Sequence, residues 1–491
     1  ESFALADFNK FSTASLITRS TNDIQQIQMT SILLLRLALM APIMAIGGLQ
    51  KAIHNAPNLS WIIALAVSVL LVVIAILFVI AVPRFKKLQT LVDKLNLVTR
   101  ENLVGLKVIR AFHNEKIEQK KFQQANTELN KMNLFVNRLM MLLDPIMTLV
   151  MNFSSVAIVW FGAHLISSGN LQIGNMMAFL EYAMQVIISF LLLSMVFIMV
   201  PRAAVSVKRV GEVLDTLPSI VDPQSPQQLP HDATGKIEFK DVTFTYPDAD
   251  LPVLSSINFA AEPGQTTAFI GSTGSGKSTL INLIPRFYDV SAGQILLDGV
   301  DIRQLKLEEL YDQIGYVPQK GVLFSGTIAS NIKYGNAKAS QKLVEKSAKI
   351  AQAAEFVSEL KNGYKNEIAQ GGSNVSGGQR QRLSIARAIA VEPNVYIFDD
   401  SFSALDFKTD AKLRLALAKE TKHKTVLIVG QRINTIMNAD KIIVLDEGKI
   451  VGQGTHQELM KNCEVYQEIA ASQLSEDDLQ KMSATIAKGA A

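Results

Sequence analysis

The chain carries the sequence GSTGSGKS at residues 271–278, directly after the apolar residues 268–270. Those apolar residues predict the end of a strand, and the sequence matches the pattern G-x-x-x-x-G-K-[ST]. The glycines let backbone N–H groups surround a β-phosphate, while Lys277 reaches the β and γ oxygens and Ser278 ligates Mg²⁺. A glycine-rich turn that only joins a strand to a helix is the alternative. The pattern favours a phosphate-binding loop.

Two segments further along the chain extend this prediction. Residues 395–398, VYIF, predict a buried strand that ends in Asp399 and Asp400. Asp399 has the role that P-loop nucleoside triphosphatases give an acid at this place, which is to hold Mg²⁺ through water. Residues 375–382, VSGGQRQR, open a helix and present free N–H groups and a positive dipole end to an anion. Taken alone, S-G-G-Q could be a helix-capping loop.

The composition of the whole chain separates it from ordinary soluble proteins. It has 491 residues, of which 48% are hydrophobic and 19% charged, one Cys and a formal charge of +4. A soluble chain averages about 25% charged residues, so a wholly soluble protein is disfavoured. The single Cys excludes an internal disulfide, the small net charge gives no support for nucleic acid as a partner, and the apolar content excludes disorder as the dominant state.

Four long apolar stretches lie before residue 201 and predict membrane spans. In residues 61–82, Ser68 is the only polar side chain, and at about 1.5 Å per residue such a helix crosses a hydrocarbon core of roughly 30 Å. Asp144 and Glu181 fall in the last two stretches, whose helices must therefore turn one face to protein or to a water-filled cavity. The predicted spans are residues 32–52, 61–83, 139–166 and 171–200.

Loop charges predict the orientation of these spans. Residues 84–138 hold 12 Lys and Arg against 5 Asp and Glu, which places this segment and both chain ends in the cytosol. Its apolar residues recur at helical spacing, so two membrane helices are expected to continue into the cytosol and to meet at a break near residues 110–115.

The polar residues 1–28 lack the features of a signal peptide. The rest of the chain divides into a linker at 218–235 with four Pro, alternating strands and helices at 236–470, and a weakly amphipathic tail at 471–491.

With the phosphate loop and S-G-G-Q together, the chain resembles the ATP-binding cassette family of exporters. The resemblance implies an α-helical transmembrane bundle of the type-1 exporter kind, at residues 1–217, fused to an α/β P-loop nucleotide-binding domain. Members have six spans per half, so four of six are present and the first two are expected to be missing ahead of residue 1. ATP and Mg²⁺ are the implied cofactors. The implied location is the cell membrane, as a multi-pass protein in contact with lipid and with a cytoplasmic nucleotide domain.

The resemblance also implies roles for individual residues. Tyr246 matches the aromatic that stacks on adenine, Gln319 the glutamine that senses Mg²⁺ and the attacking water, and residues 403–406 the loop that crosses between two nucleotide domains. Two such domains pack head to tail, so each ATP lies between one P-loop and the S-G-G-Q of the other chain. The implied metal ligands are Ser278, Gln319 and Asp399. The implied ATP-binding residues are Tyr246, Gly271, Ser272, Thr273, Gly274, Ser275, Gly276, Lys277, Ser278, Thr279, Ser376, Gly377, Gly378 and Gln379.

Two departures from the family pattern fall on the catalytic set, which is Asp400, Gln431 and Gln319. Asp400 stands where relatives have the Glu that polarises water, and its carboxylate reaches less far by one methylene. Gln431 stands in place of the switch His and cannot shuttle a proton. The sequence therefore predicts ATP binding with slow hydrolysis. It resembles the degenerate-site subunit of heterodimeric bacterial multidrug exporters, whose homologous partner supplies the competent Glu and His. A homodimer that tolerates both changes is the alternative.

The transported compound is less visible in the sequence. Thirteen of the 16 Met lie before residue 201, and flexible thioethers suit a wall that accepts varied apolar or amphipathic ligands, although Met is also ordinary membrane filler. Glu181 or Asp144 could meet a cationic compound or bond between helices. Ala111 and Phe112 could sit in a groove of the nucleotide domain or form an ordinary helix-turn-helix contact. A lipid or peptide exporter and an ATP-binding regulatory subunit remain alternatives, and the intact S-G-G-Q argues against the latter.

Overall fold

The structure is a computed structural model that describes residues 3–473, apart from the side chains at positions 78, 86, 191, 194–198, 201 and 202. Its chain divides into two compact units. One unit is helical and comprises residues 13–215. The other combines residues 3–12 with residues 216–473 and contains all the strands of the described chain.

Long helices make up the first unit, with a short helix of the second unit ahead of them. The helices up to residue 214 are α1 (Leu5–Asn9), α2 (Thr13–Thr18), α3 (Ile24–Asn55), α4 (Ser60–Val104), α5 (Leu106–Ala111), α6 (Glu115–Met141), α7 (Leu143–Ser167) and α8 (Ile173–Leu214). A π-helical turn, Arg19–Asp23, joins α2 to α3, and a 3₁₀ turn, Pro57–Leu59, joins α3 to α4. Four segments are long and apolar enough to cross a membrane, which confirms the predicted four apolar helices: Thr13–Asn55, Pro57–Val104, Glu115–Ser167 and Ile173–Phe190.

The helical unit is held together by close contact between α3 and α8. Phe179 is fully buried in a cluster with Ile63 and Ile158, from helices that are distant in sequence. Gly48 lets α8 approach, since a Cβ there would lie 3.0 Å from the Val186 side chain. Near the beginning of α3, Ser206 donates to the buried Asp23 carboxylate at 3.0 Å. Small residues and a hydrogen bond between segments distant in sequence thus allow two long helices to pack along their length.

A tight turn separates α5 from α6. His113 adopts a left-handed conformation with φ of 53°, and α6 begins two residues later with Glu115 and Glu118 in its first turn. Acidic groups stabilise the positive end of a helix. Phe112, at the C-terminal end of α5, is 74% exposed within the described chain. The turn lies within the segment where the sequence predicts a break.

The second unit contains three sheets. Their strands are β1 (Ile237–Phe244), β2 (Leu254–Ala261), β3 (Thr266–Gly271), β4 (Ala292–Leu297), β5 (Val300–Asp301), β6 (Ile314–Val317), β7 (Gly326–Thr327), β8 (Glu367–Ile368), β9 (Val395–Asp399), β10 (Thr425–Val429), β11 (Lys441–Asp446) and β12 (Lys449–Gly454). The main sheet has the order β12-β11-β3-β10-β9-β6, a second has the order β2-β1-β4-β5, and β7 pairs with β8. In the main sheet, β11, β3, β10, β9 and β6 run parallel to one another, and β12 pairs antiparallel with β11.

Short helices connect these strands. They are α9 (Lys277–Leu283), α10 (Leu307–Asp312), α11 (Ile328–Ile332), α12 (Gln341–Ile350), α13 (Ala354–Glu359), α14 (Gly377–Ala390), α15 (Phe407–Glu420), α16 (Ile433–Ile436), α17 (His456–Asn462) and α18 (Glu464–Gln473). Every residue of β9 is buried, as expected of a central strand covered on both faces. The carboxyl ends of the parallel strands meet at one edge of the sheet, where ligand sites of α/β folds lie.

Residues 3–12 belong to the second unit, although the sequence assigned residues 1–217 to the membrane domain. The reason is a polar anchor. The fully buried Asp7 carboxylate accepts hydrogen bonds from the Ser219 backbone N–H at 2.7 Å and from its hydroxyl at 2.9 Å. Ala6 packs against the core that lies under β1 and β2. A buried carboxylate needs such partners, and residues near 219 supply them.

The predicted linker, residues 218–235, contains no helix or strand in the described chain, as its four Pro suggest. It nevertheless packs on the second unit. The Leu307 N–H donates to Asp222 at 2.8 Å, and the Leu229 N–H donates to Glu309 at 3.0 Å. At the other end of the chain, α18 continues to Gln473, and positions 474–491 of the predicted tail lie outside the described residues.

Candidate functional site

The candidate site is a cleft of about 650 Å³ at the carboxyl edge of the main sheet. The loop after β3 forms one side, and the ends of β9 and β10 and the loop after β6 form the other. Its lining includes residues 271–274 and 276–279, Gln319, Asp399, Asp400 and Gln431. Parallel pairing therefore brings together residues that are up to 160 positions apart in the sequence, Gly271 and Gln431.

The loop at residues 271–276 requires glycine at two points. Gly271 touches β11 so closely that a Cβ there would lie 2.0 Å from the Leu445 carbonyl oxygen. Gly276 has φ of 96° and precedes α9, and a Cβ on it would lie 2.7 Å from the Leu254 side chain. Side-chain-free positions let the backbone curl in front of the first turn of α9. Free N–H groups at a helix beginning form an anion site.

Lys277 lies across this loop. Its ammonium donates to the carbonyl oxygens of Gly271 at 2.9 Å and Ser272 at 2.7 Å, and to the Ser275 hydroxyl at 3.3 Å. Burial lowers the pKa of Lys277, whereas the carboxylates of Asp399 and Asp400 raise it. An anion bound in the loop would add an opposite charge to this partly desolvated cation, which favours its charged form.

Ser278 and Asp399 form the metal-facing part of the cleft. The Ser278 hydroxyl donates to the Asp399 carboxylate at 3.1 Å, and burial raises the pKa of Asp399 while that hydrogen bond lowers it. No group of three His, Cys, Asp or Glu that could hold a metal exists among the described residues. Mg²⁺ commonly takes one or two carboxylates and fills its other positions with water and phosphate oxygens. The hydroxyl and carboxylate present fit that kind of site.

Asp400 connects the three predicted catalytic residues. Its carboxylate oxygen Oδ2 accepts a hydrogen bond from Gln431 Nε2 at 2.8 Å and a longer one from Gln319 Nε2 at 3.4 Å. The backbone is constrained as well, because Asp400 has φ of 42° and its N–H donates to the Val429 carbonyl at 3.0 Å. Burial raises the pKa of Asp400, and the hydrogen bonds from Gln319 and Ser403 oppose that shift. One carboxylate oxygen thus has two amide donors.

Tyr246 lies beside the phosphate loop. Its hydroxyl is 3.0 Å from the Thr279 hydroxyl, and its ring packs edge to face against Tyr288, with centroids 5.3 Å apart. Phe244 packs against it in the same way at 4.8 Å. The ring is half-buried and fixed in orientation, which suits an aromatic that stacks on a planar base.

The S-G-G-Q segment lies apart from this cleft within the chain. Ser376 caps α14 by accepting from the Gln379 N–H at 3.2 Å, and the Gln379 side chain accepts from the Ser376 N–H at 2.9 Å. Ser376 and Gly377 are exposed, and a Cβ on Gly378 would lie 3.3 Å from the Ala404 carbonyl of the predicted crossing loop. Among the described residues, none of Ser376–Gln379 lines the cleft. Both the helix-capping interpretation and an exposed helix beginning therefore describe this segment.

Sequence reasoning missed the contribution of α18 to the cleft. Ile469, Ser472 and Gln473 line it, and Gln473 bonds to the backbone of residues 431–433. The weakly amphipathic pattern of the terminal segment did not indicate that it would contact the cleft.

In the helical unit, Asp144 and Glu181 are both exposed within the described chain.

Comparison with known proteins places both halves in one family. Residues 4–190 match the family described as ABC transporter transmembrane region, and residues 254–403 match the family described as ABC transporter. An uncharacterized ABC transporter ATP-binding protein of Mycobacterium tuberculosis is 44% identical over 478 residues, covering 96% of this chain and 81% of the relative. An ATP-dependent lipid A-core flippase of Syntrophus aciditrophicus is 33% identical, covering 96% and 78%.

A solved structure gives the same result for the fold. The structure of a bacterial Atm1-family ABC exporter with ATP bound matches with a TM-score of 0.81 and 26% sequence identity. The match covers 97% of this chain and 83% of that exporter chain. The likeness extends over the helical unit as well as the strand-containing one.

Proposed function

Since this chain belongs to the ABC transporter family, as an exporter half-transporter with a membrane region and an ATP-binding domain, we propose that it works as one half of a heterodimer whose own ATP site hydrolyses slowly. In this proposal the heterodimer exports amphipathic or hydrophobic compounds, including drugs, across the cell membrane. The phosphate loop, Tyr246 and Asp399 bind ATP with Mg²⁺. The partner's site hydrolyses the ATP that drives transport.

The single observation that carries the proposal is the engagement of Asp400. A base that polarises an attacking water must present a free oxygen lone pair to that water at hydrogen-bond distance. Oδ2 of Asp400 receives the amides of Gln431 and Gln319, so only Oδ1 is left to meet a water, and the side chain is one methylene shorter than Glu. Gln431 also has no titratable proton to relay. These three features support binding without rapid hydrolysis.

The exposed beginning of α14 supports the role of the partner. Gly377 has its N–H group at the positive end of a helix of 14 residues, and both Gly377 and Ser376, which carries a hydroxyl, are exposed. They would receive the γ-phosphate of an ATP held by the P-loop of a homologous half-transporter. That partner would carry a Glu after its strand-ending Asp and a His at its switch position.

The residues proposed to hold Mg²⁺ are Ser278, Asp399 and, through its side-chain oxygen, Gln319. When bound, the ion neutralises charge on the β- and γ-phosphates. The Ser278 hydroxyl already points at the Asp399 carboxylate, 3.1 Å away. Gln319 presently directs its NH₂ group to Asp400, so ligation would require its amide to turn over.

A lipid exporter is the second candidate for the transported cargo. Relatives that are 33% identical bear the name ATP-dependent lipid A-core flippase, from Syntrophus aciditrophicus and Hahella chejuensis. A lipid is itself amphipathic, so both candidates share an apolar wall and at least one polar contact. Glu181 is the proposed polar contact for a cationic drug, and Glu181→Gln should reduce transport of cations more than of neutral compounds.

Reconstitution in liposomes tests the heterodimer. We expect the chain alone to bind ATP and to hydrolyse it slowly, and the pair with a homologous Glu- and His-containing half-transporter to show drug-stimulated hydrolysis. In the pair, Asp400→Glu should leave turnover nearly unchanged, while loss of the partner's Glu abolishes it. Fast hydrolysis and transport by this chain alone would overturn the proposal in favour of a homodimer.

A further inference from the structure

We propose that Gln473, the last residue of α18, is a positioning residue that fixes the backbone of residues 431–433 and so sets how Gln431 meets the γ-phosphate of bound ATP. The inference rests on the proposed ATP binding at this cleft. It assigns to the C-terminal helix a role in distinguishing ATP from ADP.

The side chain of Gln473 makes two hydrogen bonds to the backbone of residues 431–433, and this pair of bonds is called the clasp. Gln473 Nε2 donates to the Gln431 carbonyl oxygen at 2.8 Å, and Gln473 Oε1 accepts from the Ile433 N–H at 2.9 Å. A primary amide carries one acceptor and one donor group in fixed relation, as a peptide unit does. It therefore pairs with the backbone of residues 431–433 as a neighbouring strand would.

The clasp acts on a residue whose side chain is also engaged. The side chain of Gln431 donates to Asp400 at 2.8 Å, while its carbonyl oxygen accepts from Gln473. Gln431 is thus held from α18 on its backbone side and from the end of β9 on its side-chain side. Because the backbone carbonyl of Gln431 is fixed, its side-chain amide needs only a small rotation to move from Asp400 to a phosphate oxygen.

Gln473 is itself anchored to the core that carries the phosphate loop. Tyr466 and Ala470 of α18 are fully buried in one cluster with Ala268 and Ile270 of β3. The Tyr466 hydroxyl lies 2.6 Å from the buried His456 ring nitrogen Nδ1. Ile433 belongs to the same cluster, so helix, loop and strand share one packed support.

The test compares two glutamines on the same helix. Gln473→Met keeps the length of the side chain but removes both hydrogen bonds, and Gln467→Met is the matched control, because Gln467 donates to the Met460 carbonyl at 3.0 Å and does not line the cleft. Fluorescent ATP and ADP analogues, with Mg²⁺, are titrated into the purified full chain. We expect Gln473→Met to weaken ATP binding by about 3- to 10-fold and ADP binding by less than about 2-fold.

A second background separates positioning from general stability. If Gln473 acts through Gln431, the Gln473→Met change should add less than about 2-fold to the ATP-binding loss of Gln431→Ala, because the two effects are not additive. Gln473→Glu retains the acceptor for Ile433 but sets a carboxylate oxygen against the Gln431 carbonyl oxygen and adds a negative charge to the cleft, so it should weaken ATP binding at least as much as Gln473→Met.

Three results would overturn the role of Gln473. They are an equal loss of ATP and ADP affinity, full additivity with Gln431→Ala, and the same ATP-to-ADP ratio in Gln473→Met and Gln467→Met. Failure of the wild-type chain to bind ATP would instead overturn the proposed function on which this role depends. The wild-type titration therefore distinguishes the two failures.

Discussion

The two sides of the nucleotide cleft differ in how their polar groups are used. On the side of β3 and α9, the ammonium of Lys277 lies across the loop and donates to its carbonyl oxygens, and the loop glycines let the backbone curl in front of α9. On the side of β9 and β10, Asp400 and Gln431 bond to each other. One cleft can therefore keep the parts that bind a nucleotide while its remaining polar groups are engaged among themselves.

Phosphate binding and water activation therefore depend on different properties of the chain. Phosphate binding relies on backbone geometry, which glycines at residues 271 and 276 provide whatever the neighbouring side chains are. Water activation relies on the reach of one carboxylate, and a change of about one ångström is enough to disturb it. Loss of the second task is consequently expected to leave the first intact.

The largest expected effect is on binding. Lys277→Met removes the ammonium that faces the phosphates, and should weaken ATP binding by about 100-fold or more, since charge-assisted hydrogen bonds to phosphate are strong. Titration with a fluorescent ATP analogue measures this loss. Lys422→Met, at an exposed position of the same unit, is the control and should bind as wild type. Comparable affinity of the two variants would show that the phosphate loop is not the binding side.

The next effect concerns hydrolysis by the chain alone. Asp400→Glu combined with Gln431→His should raise ATP turnover by about 10-fold or more, because a positioned base contributes about 100-fold or more to such steps. Each single change should give less, and Asp312→Glu, on the exposed end of α10, should give nothing. Phosphate release by the purified chain is the measurement. Unchanged turnover in the double variant would contradict the contrast between the two sides.

A third prediction concerns the beginning of α14. Apart from its own helix and chain neighbours, no atom of the described residues lies within 4 Å of a Cβ built on Gly377, so Gly377→Asp fits but places a negative charge where a phosphate is expected. Hydrolysis by the heterodimer should fall by about 10-fold, while ATP binding by this chain alone stays unchanged. Gly377→Ala adds bulk without charge and serves as the control. A matching loss in both variants would indicate a packing defect instead.

The smallest effect is on stability and its pH dependence. Burial raises the pKa of Asp399 above its unfolded value, so folding favours the protonated acid, and this stabilisation is lost as pH rises through the folded pKa. Asp399→Asn should therefore raise the Tm of the nucleotide-free chain slightly at pH 7, and the gain should shrink toward pH 4. Thermal unfolding measures it, with Asp312→Asn as the control. A lower Tm for Asp399→Asn at neutral pH would contradict the sign.

Much of this architecture was predictable from local patterns. The phosphate loop follows from eight consecutive residues, the strand ending at Asp399 from a buried apolar run, and the membrane helices from stretches that contain few polar groups. Each of these depends on neighbours in sequence. Convergence of Gln319, Gln431 and Asp400 at one edge followed from resemblance to a family, but the sharing of a single oxygen by two amides depends on rotamers that sequence does not specify.

Other features could not be predicted because they arise from contacts between distant segments. Gln473 reaches residues 431–433 only because Tyr466 packs α18 on the main sheet. Asp7 similarly accepts hydrogen bonds from Ser219, which follows the whole helical unit in the sequence. The hydropathy pattern gave no reason to separate residues 3–12 from the helices that follow. The sequence around a polar side chain on a short helix does not indicate which distant segment that side chain will contact.

The anchor of α1 has a consequence for how the chain folds. Asp7 and Ser219 are 212 positions apart, so α1 is synthesised before α2–α8, and the Ser219 N–H and hydroxyl that donate to Asp7 are synthesised only after those helices. The unit that contains the nucleotide cleft is therefore discontinuous along the chain and cannot be completed by sequential folding from one end. Formation of the Asp7–Ser219 contact closes a loop that holds the entire helical unit, and it should be among the last events in maturation.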